Sequence, residues 1–537
     1  MRDVAQEDHP AKQIRSAPLF RHRYILLTII LVLAVIGGRI VPDFGISYDE
    51  PTQRNHRLVN LNHMLTLVGA EFLMPPVEYE ASEIEVYHGK YYGVVAQIPL
   101  LALDYFGVSS DSSLYWVLSH YYTHILFQLS VISMYILLKN LGFAKSTVLL
   151  GTLVYVLNPR IYAHSFYNIK DLVFLSLLTI SLLLIQQYAS SNSRRKLWLA
   201  CVVFVLAVNS RVVGAVLFPF ILLIIFLLNR TGVPRLISHA SIAIMSSGLM
   251  FFIVTPILWQ ESILGLIQML KTFSNYVIWA GTNVFWGEAI SGNIVPRYYI
   301  PVWIAISVPM GHLLLWVAGL ISWPFWAIKR VMASKKYDLQ LIFTWFAFAL
   351  ISFSLLGIIL RKSTLYNDWR HLYYLHVSFT ILAAHLLHVI RSKHMLAYAV
   401  CIGCVVLSLM HTVSWMYRNH PHYYVYFNRL AGQNWDSMWD RDTWRLSAKQ
   451  ALELLSDSLD APSTIYADRT VYTNYRILTP AQRLKLTTVE DIHEAEYFIA
   501  DYRNVIGDYT APDFTGFSPY HSVTVEGKPI MMVYKRD

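Results

Sequence analysis

The sequence predicts an α-helical polytopic membrane protein carrying a small C-terminal α/β domain. Three observations carry this. Of 537 residues, 55% are hydrophobic and only 14% charged, whereas a soluble domain carries about 25% charge; too few solvent-facing residues remain to coat a soluble globule. The apolar residues gather into runs that approach the roughly 20 residues needed to cross a bilayer. After Met416 the hydropathy drops, and short apolar stretches alternate with helix-forming ones. These features exclude a soluble enzyme, a disordered chain, a coiled coil and a disulfide scaffold.

Taken in order, the candidate spans are Tyr24–Ile40, Leu114–Leu138, Thr147–Leu157, Leu172–Tyr188, Trp198–Val208, Val213–Leu228 and Ile237–Ile257, followed by Val302–Ile328, Leu339–Leu360, Leu372–Ile390 and Leu396–Met416. That is about 11 transmembrane helices, several of them short for a full crossing. Val94–Phe106 is shorter still and carries Asp104, which suits a helix lying in the interface. Residues 1–416 form the membrane domain on this reading. Residues 417–537 form the α/β domain, with strands at Thr464–Ala467, Tyr497–Asp501 and Ile530–Tyr534 and a helix at Ser447–Ser456. The three cysteines, Cys201, Cys401 and Cys404, lie inside apolar runs. Cys401 and Cys404 have CxxC spacing, but no second pair or nearby His completes a metal site.

The formal charge of +9 would suggest nucleic acid in a soluble protein. Here it follows from topology, and no nucleic-acid partner is expected. Alternate connections carry the basic residues: Arg15, Arg21 and Arg23; Lys139 and Lys145; Arg194, Arg195 and Lys196; Arg230 and Arg235; Lys329, Arg330, Lys335 and Lys336; Arg391 and Lys393. The positive-inside rule places those connections and the N-terminus in the cytoplasm. The intervening loops and the C-terminal domain then face outward.

The outward loops hold the chemistry-bearing residues. The first, about Val41 to Ser113, contains Asp49 and Glu50 just past a span, with Glu71, Glu78, Glu80, Glu83, Glu85 and Lys90 following. Adjacent acids at a membrane surface are costly to desolvate. One of them suits a general base for a hydroxyl nucleophile; the pair also suits a helix cap. The second loop, Asn158–Asp171, holds Arg160, His164, Lys170 and Asp171 between two helix ends, an arrangement that also fits interfacial anchors plus one ion pair. Outward cations form a third set: Lys90, Arg211, Arg297, Arg361, Lys362, Arg370 and His371. The positive-inside rule disfavours cations there, so they ask for an anionic partner, and a phosphate at the interface suits arginine forks and a lysine point charge; each one singly also suits a lipid-headgroup anchor. The aromatic residues Tyr91, Tyr92, Trp259, Trp279, Trp286, Trp369 and Tyr373 fit an interfacial belt.

Beyond these residue readings, the order of motifs resembles the membrane-embedded GT-C glycosyltransferases, closest to the bacterial branch of the glycosyltransferase 39 (protein mannosyltransferase-like) family. The matching pieces are YDEPTQ at 48–53, NPRIYAHSFYNIKD at 158–171, TPILW at 255–259, YIPVWIAISVP at 299–309, YNDWRHLYYLHVSF at 366–379, HPHYYVYFNRLAG at 420–432 and RDTWRLSAKQAL at 441–452. Two pieces depart from the family pattern: its DYWG-like stretch reads Asp442-Thr443-Trp444-Arg445, and its HPPL-like stretch reads Val95-Ala96-Gln97-Ile98-Pro99-Leu100.

The resemblance implies a GT-C fold and transfer of a sugar from a polyprenyl-phosphate donor to an acceptor hydroxyl on the outer face of the membrane, a hexosyl- or mannosyltransferase-like activity of a bacterial inner membrane protein with its C-terminal domain in the periplasm. It implies Asp49 as base or acceptor binder, Glu50 as the second acid and Asp171 as the acid of the second loop. The phosphate-holding residues are then Lys90, Arg160, Arg297, Arg370 and His371. One in-line displacement inverts the anomeric carbon, without the paired-carboxylate geometry of a glycosidase. The acceptor is a glycan, a lipid or a protein. No cofactor is required, with a divalent metal near Asp49 and Asp171 as the open alternative. Two other readings stand beside this one: a transporter or flippase of lipid-linked sugars, which would show repeats and midplane charges, and a lipid-linked glycan polymerase or ligase working through the long loop Trp259–Pro301.

Overall fold

A computed structural model describes residues 20–78, 84, 87–228, 232–274, 281–333, 338–361, 363–468, 471–507 and 516–537. Arg15, Glu80, Glu83, Glu85, Arg230, Trp279, Lys335, Lys336 and Lys362 lie outside the described residues. The chain is a polytopic helical membrane protein with a small C-terminal sheet domain.

The helices run α1 (Phe20–Ile40), α2 (Asp49–Leu67), α3 (Leu101–Tyr105), α4 (Ser113–Asn140), α5 (Lys145–Val156), α6 (Pro159–Tyr167), α7 (Asp171–Ser191), α8 (Arg194–Ser210), α9 (Phe218–Leu228), α10 (Val233–Ile253), α11 (Ile257–Ser274), α12 (Tyr299–Ser307), α13 (Met310–Ala333), α14 (Leu339–Arg361), α15 (Leu375–Lys393) and α16 (Met395–Arg418). Among the described residues, 8 stretches are long and apolar enough to cross a membrane: Tyr24–Asp43 and helices α4, α7, α10, α13, α14, α15 and α16. The remaining expected spans are shorter. α5 and α8 have 12 and 17 residues, and the third is the apolar helix Val212–Leu227. α5 stops early for a local reason. Asn158 turns out of the helix, its side-chain oxygen accepts the Ile161 N–H at 3.3 Å, and Pro159 opens α6; an Asn cap followed by proline starts a new helix. A second break divides the expected span Val302–Ile328. Pro309 forces Val308 into extended backbone (φ −108°, ψ 137°), so α12 and α13 are separate helices.

Two elements sit where the sequence reading placed loops. α2 is a polar helix that buries Leu58, Val59 and Leu61 together with Gln53, His56, Arg57 and Asn60. Arg54 ties it to Asp104 of α3 at 2.8 Å, and Arg57 donates to Tyr115 of α4 at 2.7 Å. In the long connection expected between Trp259 and Pro301, β1 (Thr282–Phe285) and β2 (Glu288–Ser291) pair as a hairpin. Its two turn residues, Trp286 and Gly287, have φ of 58° and 76°, the left-handed backbone that matches the twist of a two-residue hairpin.

The C-terminal part contributes α17 (Trp435–Met438), α18 (Ser447–Ser458) and the strands β3 (Ser463–Ala467), β4 (Leu486–Thr488), β5 (Tyr497–Asp501), β6 (Phe517–Val525) and β7 (Lys528–Arg536). The sheet order is β4-β3-β5-β7-β6. β3 pairs parallel with β4 and β5, and β7 pairs antiparallel with β5 and β6. This part is stitched to the segment before α2. Asn474 exchanges bonds with the Ile46 backbone at 2.7 and 3.0 Å, and the Tyr48 N–H donates to the Trp444 carbonyl at 3.3 Å. The start of α2 is therefore held between the helical bundle and the sheet domain.

Candidate active site

Four chain segments converge there. Asp49 and Glu50 occupy the first turn of α2, where acids meet the positive end of the helix. The α6–α7 connection is shaped by Asn168, whose side-chain oxygen accepts the backbone N–H of Lys170 at 3.2 Å and of Asp171 at 2.8 Å. Its amide nitrogen donates to Asp171 Oδ2 at 3.0 Å. Arg211 ends α8, and Arg370 and His371 precede α15. The last loop turns on Asn367 and Asp368, both in left-handed backbone (φ 53° and 67°), which these two residue types tolerate. Hairpin residue Asn283 fixes the turn by accepting the Asn367 N–H at 3.1 Å.

Asp49 Oδ2 lies 3.2 Å from Arg370 Nη1, with the Asp49 side chain 33% exposed and Arg370 buried. The Arg370 guanidinium stacks between Tyr366 at 4.7 Å and Trp444 at 4.6 Å, so the C-terminal part supplies one wall. Asp171 pairs with Arg211 through Oδ1. Lys170 Nζ sits 4.0 Å from the centroid of the Tyr92 ring, against which His56 stacks at 5.0 Å.

Beside this cluster opens a cavity of about 450 Å³. Its walls are mostly apolar, formed by residues such as Leu217, Phe220, Leu350 and Phe353, and its polar end carries Tyr92, Arg211 and His371, with the exposed Arg361 also on its lining. Arg211 Nε, Arg370 Nε and His371 Nδ1 are buried without a hydrogen-bond partner. Unsatisfied buried polar atoms are rare; Arg211 lines the cavity and Arg370 adjoins its lining residues Tyr366 and His371, so two guanidinium donors leave a place for an anion.

The electrostatics agree. Burial pushes the Asp49 carboxyl up, but Arg370, Lys170 and Arg211 outweigh it and hold the group below its usual range. Burial, reinforced by the Arg370 and Arg211 charges, holds His371 far below the ordinary imidazole value, so it is neutral. Burial pulls Lys170 down to about 7, opposed by Asp49. Burial likewise takes His56 to about 2.

The other residues singled out from sequence go elsewhere. Glu50 is buried, and its two oxygens meet the Ser47 N–H at 2.6 Å and His120 Nε2 at 2.9 Å. Lys90 pairs with Glu261 at 3.0 Å. Arg160 is bound to Asp368 at 2.9 Å and to the Tyr426 carbonyl at 3.1 Å. Arg297 is exposed and borders a smaller cleft that shares Ile358, Ser363 and Leu365 with the large cavity. Lys170, Arg211 and Tyr92, named from sequence only within wider sets, and Trp444, named only within a motif, belong to the cluster without having been chosen as site residues. The adjacency of Lys170 to Asp171 was the available signal for the first.

A divalent cation does not fit this donor set. Asp49 and Asp171 are each matched to an arginine, Lys170 lies among them, and no group of three His, Cys, Asp or Glu is arranged to hold a metal among the described residues.

No protein-family model matches the chain, and no curated protein matches it in sequence. Among solved structures it is similar to the protein O-mannosyltransferase Pmt1–Pmt2 complex of S. cerevisiae bound to the sugar donor, at 14% identity over 46% of this chain and 35% of that one, with a TM-score of 0.33. It is similar to ArnT from Cupriavidus metallidurans bound to undecaprenyl phosphate, at 10% identity over 96% of this chain and 98% of that one, with a TM-score of 0.46. It is also similar to the arabinofuranosyltransferase AftD from Mycobacteria, at 12% identity over 96% of this chain and 40% of that one, with a TM-score of 0.42.

Proposed function

We propose that this protein is a GT-C glycosyltransferase that moves a sugar from a polyprenyl-phosphate donor to an acceptor hydroxyl at the outer face of the membrane, with inversion at the anomeric carbon. The observation that carries the reading is the pairing of Asp49 with Arg370 beside an apolar cavity whose polar end holds Arg211 and neutral His371. An isoprenoid tail suits apolar walls, and its phosphate suits buried donors that have no other partner.

In this reading Asp49 receives and orients the acceptor hydroxyl, with Arg370 holding the carboxylate in place. Arg211, fixed by Asp171, and Arg370 meet the phosphate as the glycosidic bond breaks. The leaving group gains charge in the transition state, and preorganised cations in a site shielded from water stabilise it strongly. Its oxygen needs no proton to depart. Arg361 and Arg297 attract the lipid headgroup at the cavity mouth. Glu50, Arg160 and Lys90 serve as scaffold. In this reading the N-terminus is cytoplasmic and the C-terminal domain lies outside, in the periplasm of a bacterial inner membrane; the basic connections support that orientation through the positive-inside rule.

The test is transfer of radiolabelled sugar from a panel of undecaprenyl-phosphate hexoses by the purified chain in liposomes. Asp49→Asn is expected to lower turnover by at least about 100-fold in a protein that still folds. Near-normal turnover in a folded Asp49→Asn protein overturns the assignment.

A further inference from the structure

Tyr48 stands immediately before Asp49, at the seam between the start of α2 and the C-terminal part. It is 46% exposed, and its N–H is held by the Trp444 carbonyl at 3.3 Å. Two guanidiniums of the C-terminal part face its ring, Arg503 at 5.6 Å and Arg445 at 5.9 Å from the centroid. An open aromatic plate flanked by arginines therefore adjoins the carboxylate to which the acceptor hydroxyl is assigned.

The two arginines differ. Arg445 is matched, meeting Asp501 at 2.8 Å and Asp468 at 3.5 Å. Arg503 is half-buried, and its guanidinium has no hydrogen bond or ion pair among the described residues. Its Nε is buried without a partner. Its backbone is fixed, because the Arg503 N–H donates to Asp501 Oδ1 at 3.0 Å. The charged groups that face it are Arg445, Asp440, Arg370 and Asp501. Asp501 is taken by Arg445, and Arg370 is matched to Asp49. Asp440 accepts the Val284 N–H at 3.0 Å, and burial pushes its carboxyl up to about 7, so it offsets only part of the charge. A cation partly withdrawn from water without a counter-charge is costly until an anion reaches it.

We propose that Tyr48 and Arg503 form an acceptor subsite for an acidic sugar: the sugar ring lies on Tyr48, its carboxylate or phosphate is bound by Arg503, and a free hydroxyl is thereby brought to Asp49. Arginine binds either anion through paired N–H bonds, and an aromatic side chain with one placed charge is a common way to fix a small ligand. Arg370 lies between this subsite and the donor cavity, with its guanidinium over Tyr366 of the cavity lining and over Trp444 of the C-terminal part. The donor phosphate and the acidic acceptor thus meet separate arginines, Arg211 and Arg503. The inference rests on the transferase reading and names the class of acceptor that reading leaves open.

The test uses the full chain in phosphatidylcholine nanodiscs with phenyl glucoside, phenyl glucuronide and phenyl glucoside 6-phosphate as probes. Calorimetry is expected to show the wild type binding at least one acidic probe about 10-fold more tightly than phenyl glucoside, the size of one charged hydrogen bond; the carboxylate and phosphate probes tell the two anions apart. Arg503→Gln is expected to bring that ratio within about twofold of unity. Arg503→Lys is expected to keep about threefold, since a point charge remains without the fork. Tyr48→Leu is expected to weaken acidic and neutral probes alike, about fivefold, and to leave their ratio. In liposomes with the undecaprenyl-phosphate hexose that turns over, the preferred acidic probe is expected to receive the labelled sugar, and Arg503→Gln to lower its kcat/KM about 10-fold through KM. Equal wild-type binding of acidic and neutral probes overturns the inference whether or not the variants fold. So does a preference that persists in Arg503→Gln, or an acidic probe that binds yet receives no sugar while phenyl glucoside does. Absence of sugar release from every donor removes the transferase reading instead, because the binding measurement needs no turnover.

Discussion

Arg370 Nη1 lies 3.2 Å from Asp49 Oδ2, joining loops 321 residues apart in the chain. Arg370 is buried, with its guanidinium over the rings of Tyr366 and Trp444 at 4.7 and 4.6 Å. A lysine keeps the charge but has neither the planar fork nor the stacking. Arg370→Lys is expected to lower turnover about 10-fold and Arg370→Ala about 100-fold. Removing the guanidinium also removes the largest influence that lowers the Asp49 carboxyl. The protonation of Asp49, which in the wild type falls below the usual carboxylate range, therefore moves to higher pH in Arg370→Ala. A pH–rate profile that does not shift on the acid side would argue against the pair.

Asp171 and Arg211 form the second pair, with side chains 3% and 20% exposed. Removing one partner of a buried pair leaves a charge uncompensated, on the order of 3–5 kcal/mol for a fully buried pair. Arg211→Met is expected to lower the melting temperature, and Asp171→Asn combined with Arg211→Met to recover most of the loss. Turnover is not expected to return in the double variant, because Arg211 Nε is one of the unpartnered donors beside the cavity. Thermal unfolding and sugar transfer measured on the same preparations separate the two effects.

Asp49 and Glu50 are neighbours in sequence with different work. Glu50 holds the Ser47 N–H and His120, which anchors the start of α2 to α4. Glu50→Gln is expected to lower the melting temperature while keeping turnover within about fivefold of wild type, since hydrogen-bonded buried groups contribute on the order of 1–3 kcal/mol. Asp49→Asn should instead lose turnover by at least about 100-fold. Loss of turnover in Glu50→Gln at unchanged stability would move Glu50 into the chemistry.

The difference between those two acids shows what the sequence carried and what it did not. The acidic start of α2 was legible as a chemical feature, because paired carboxylates beside a span are unusual. Which acid pairs with Arg370 was not, since successive helical residues point about 100° apart and His120, the group that claims Glu50, lies 70 residues away. The long spans were legible because their apolar runs are local. α2 itself was hidden: a polar helix leaves no apolar run, and its buried polar residues are satisfied by distant partners such as Asp104 and Tyr115. The cations of these loops were legible as a class, but their counter-charges were not. Glu261 takes Lys90 and Asp368 takes Arg160, which leaves Arg211 and Arg370 at the cavity.

The loop carrying Tyr91 and Tyr92 reaches the cavity only because Gly93 lets it lie against the end of α8. A Cβ on Gly93 would stand 1.8 Å from the Asn209 carbonyl oxygen, a backbone atom that no rotamer change can move. Asn209 also accepts the Val95 N–H at 3.1 Å and donates to the Val254 carbonyl at 2.9 Å, so it is pinned from both sides. Gly93→Ala must therefore displace the loop, at about 1–3 kcal/mol for overpacking, and carry Tyr92 away from Lys170. The expected result is a lower melting temperature together with weaker binding of undecaprenyl phosphate. Gly248→Ala in α10 is the control: a Cβ there meets nothing within 4 Å, and alanine is the better helix former by about 1 kcal/mol, so its melting temperature should be unchanged or higher. Equal behaviour of the two variants would mean that the loop does not depend on close approach at Gly93.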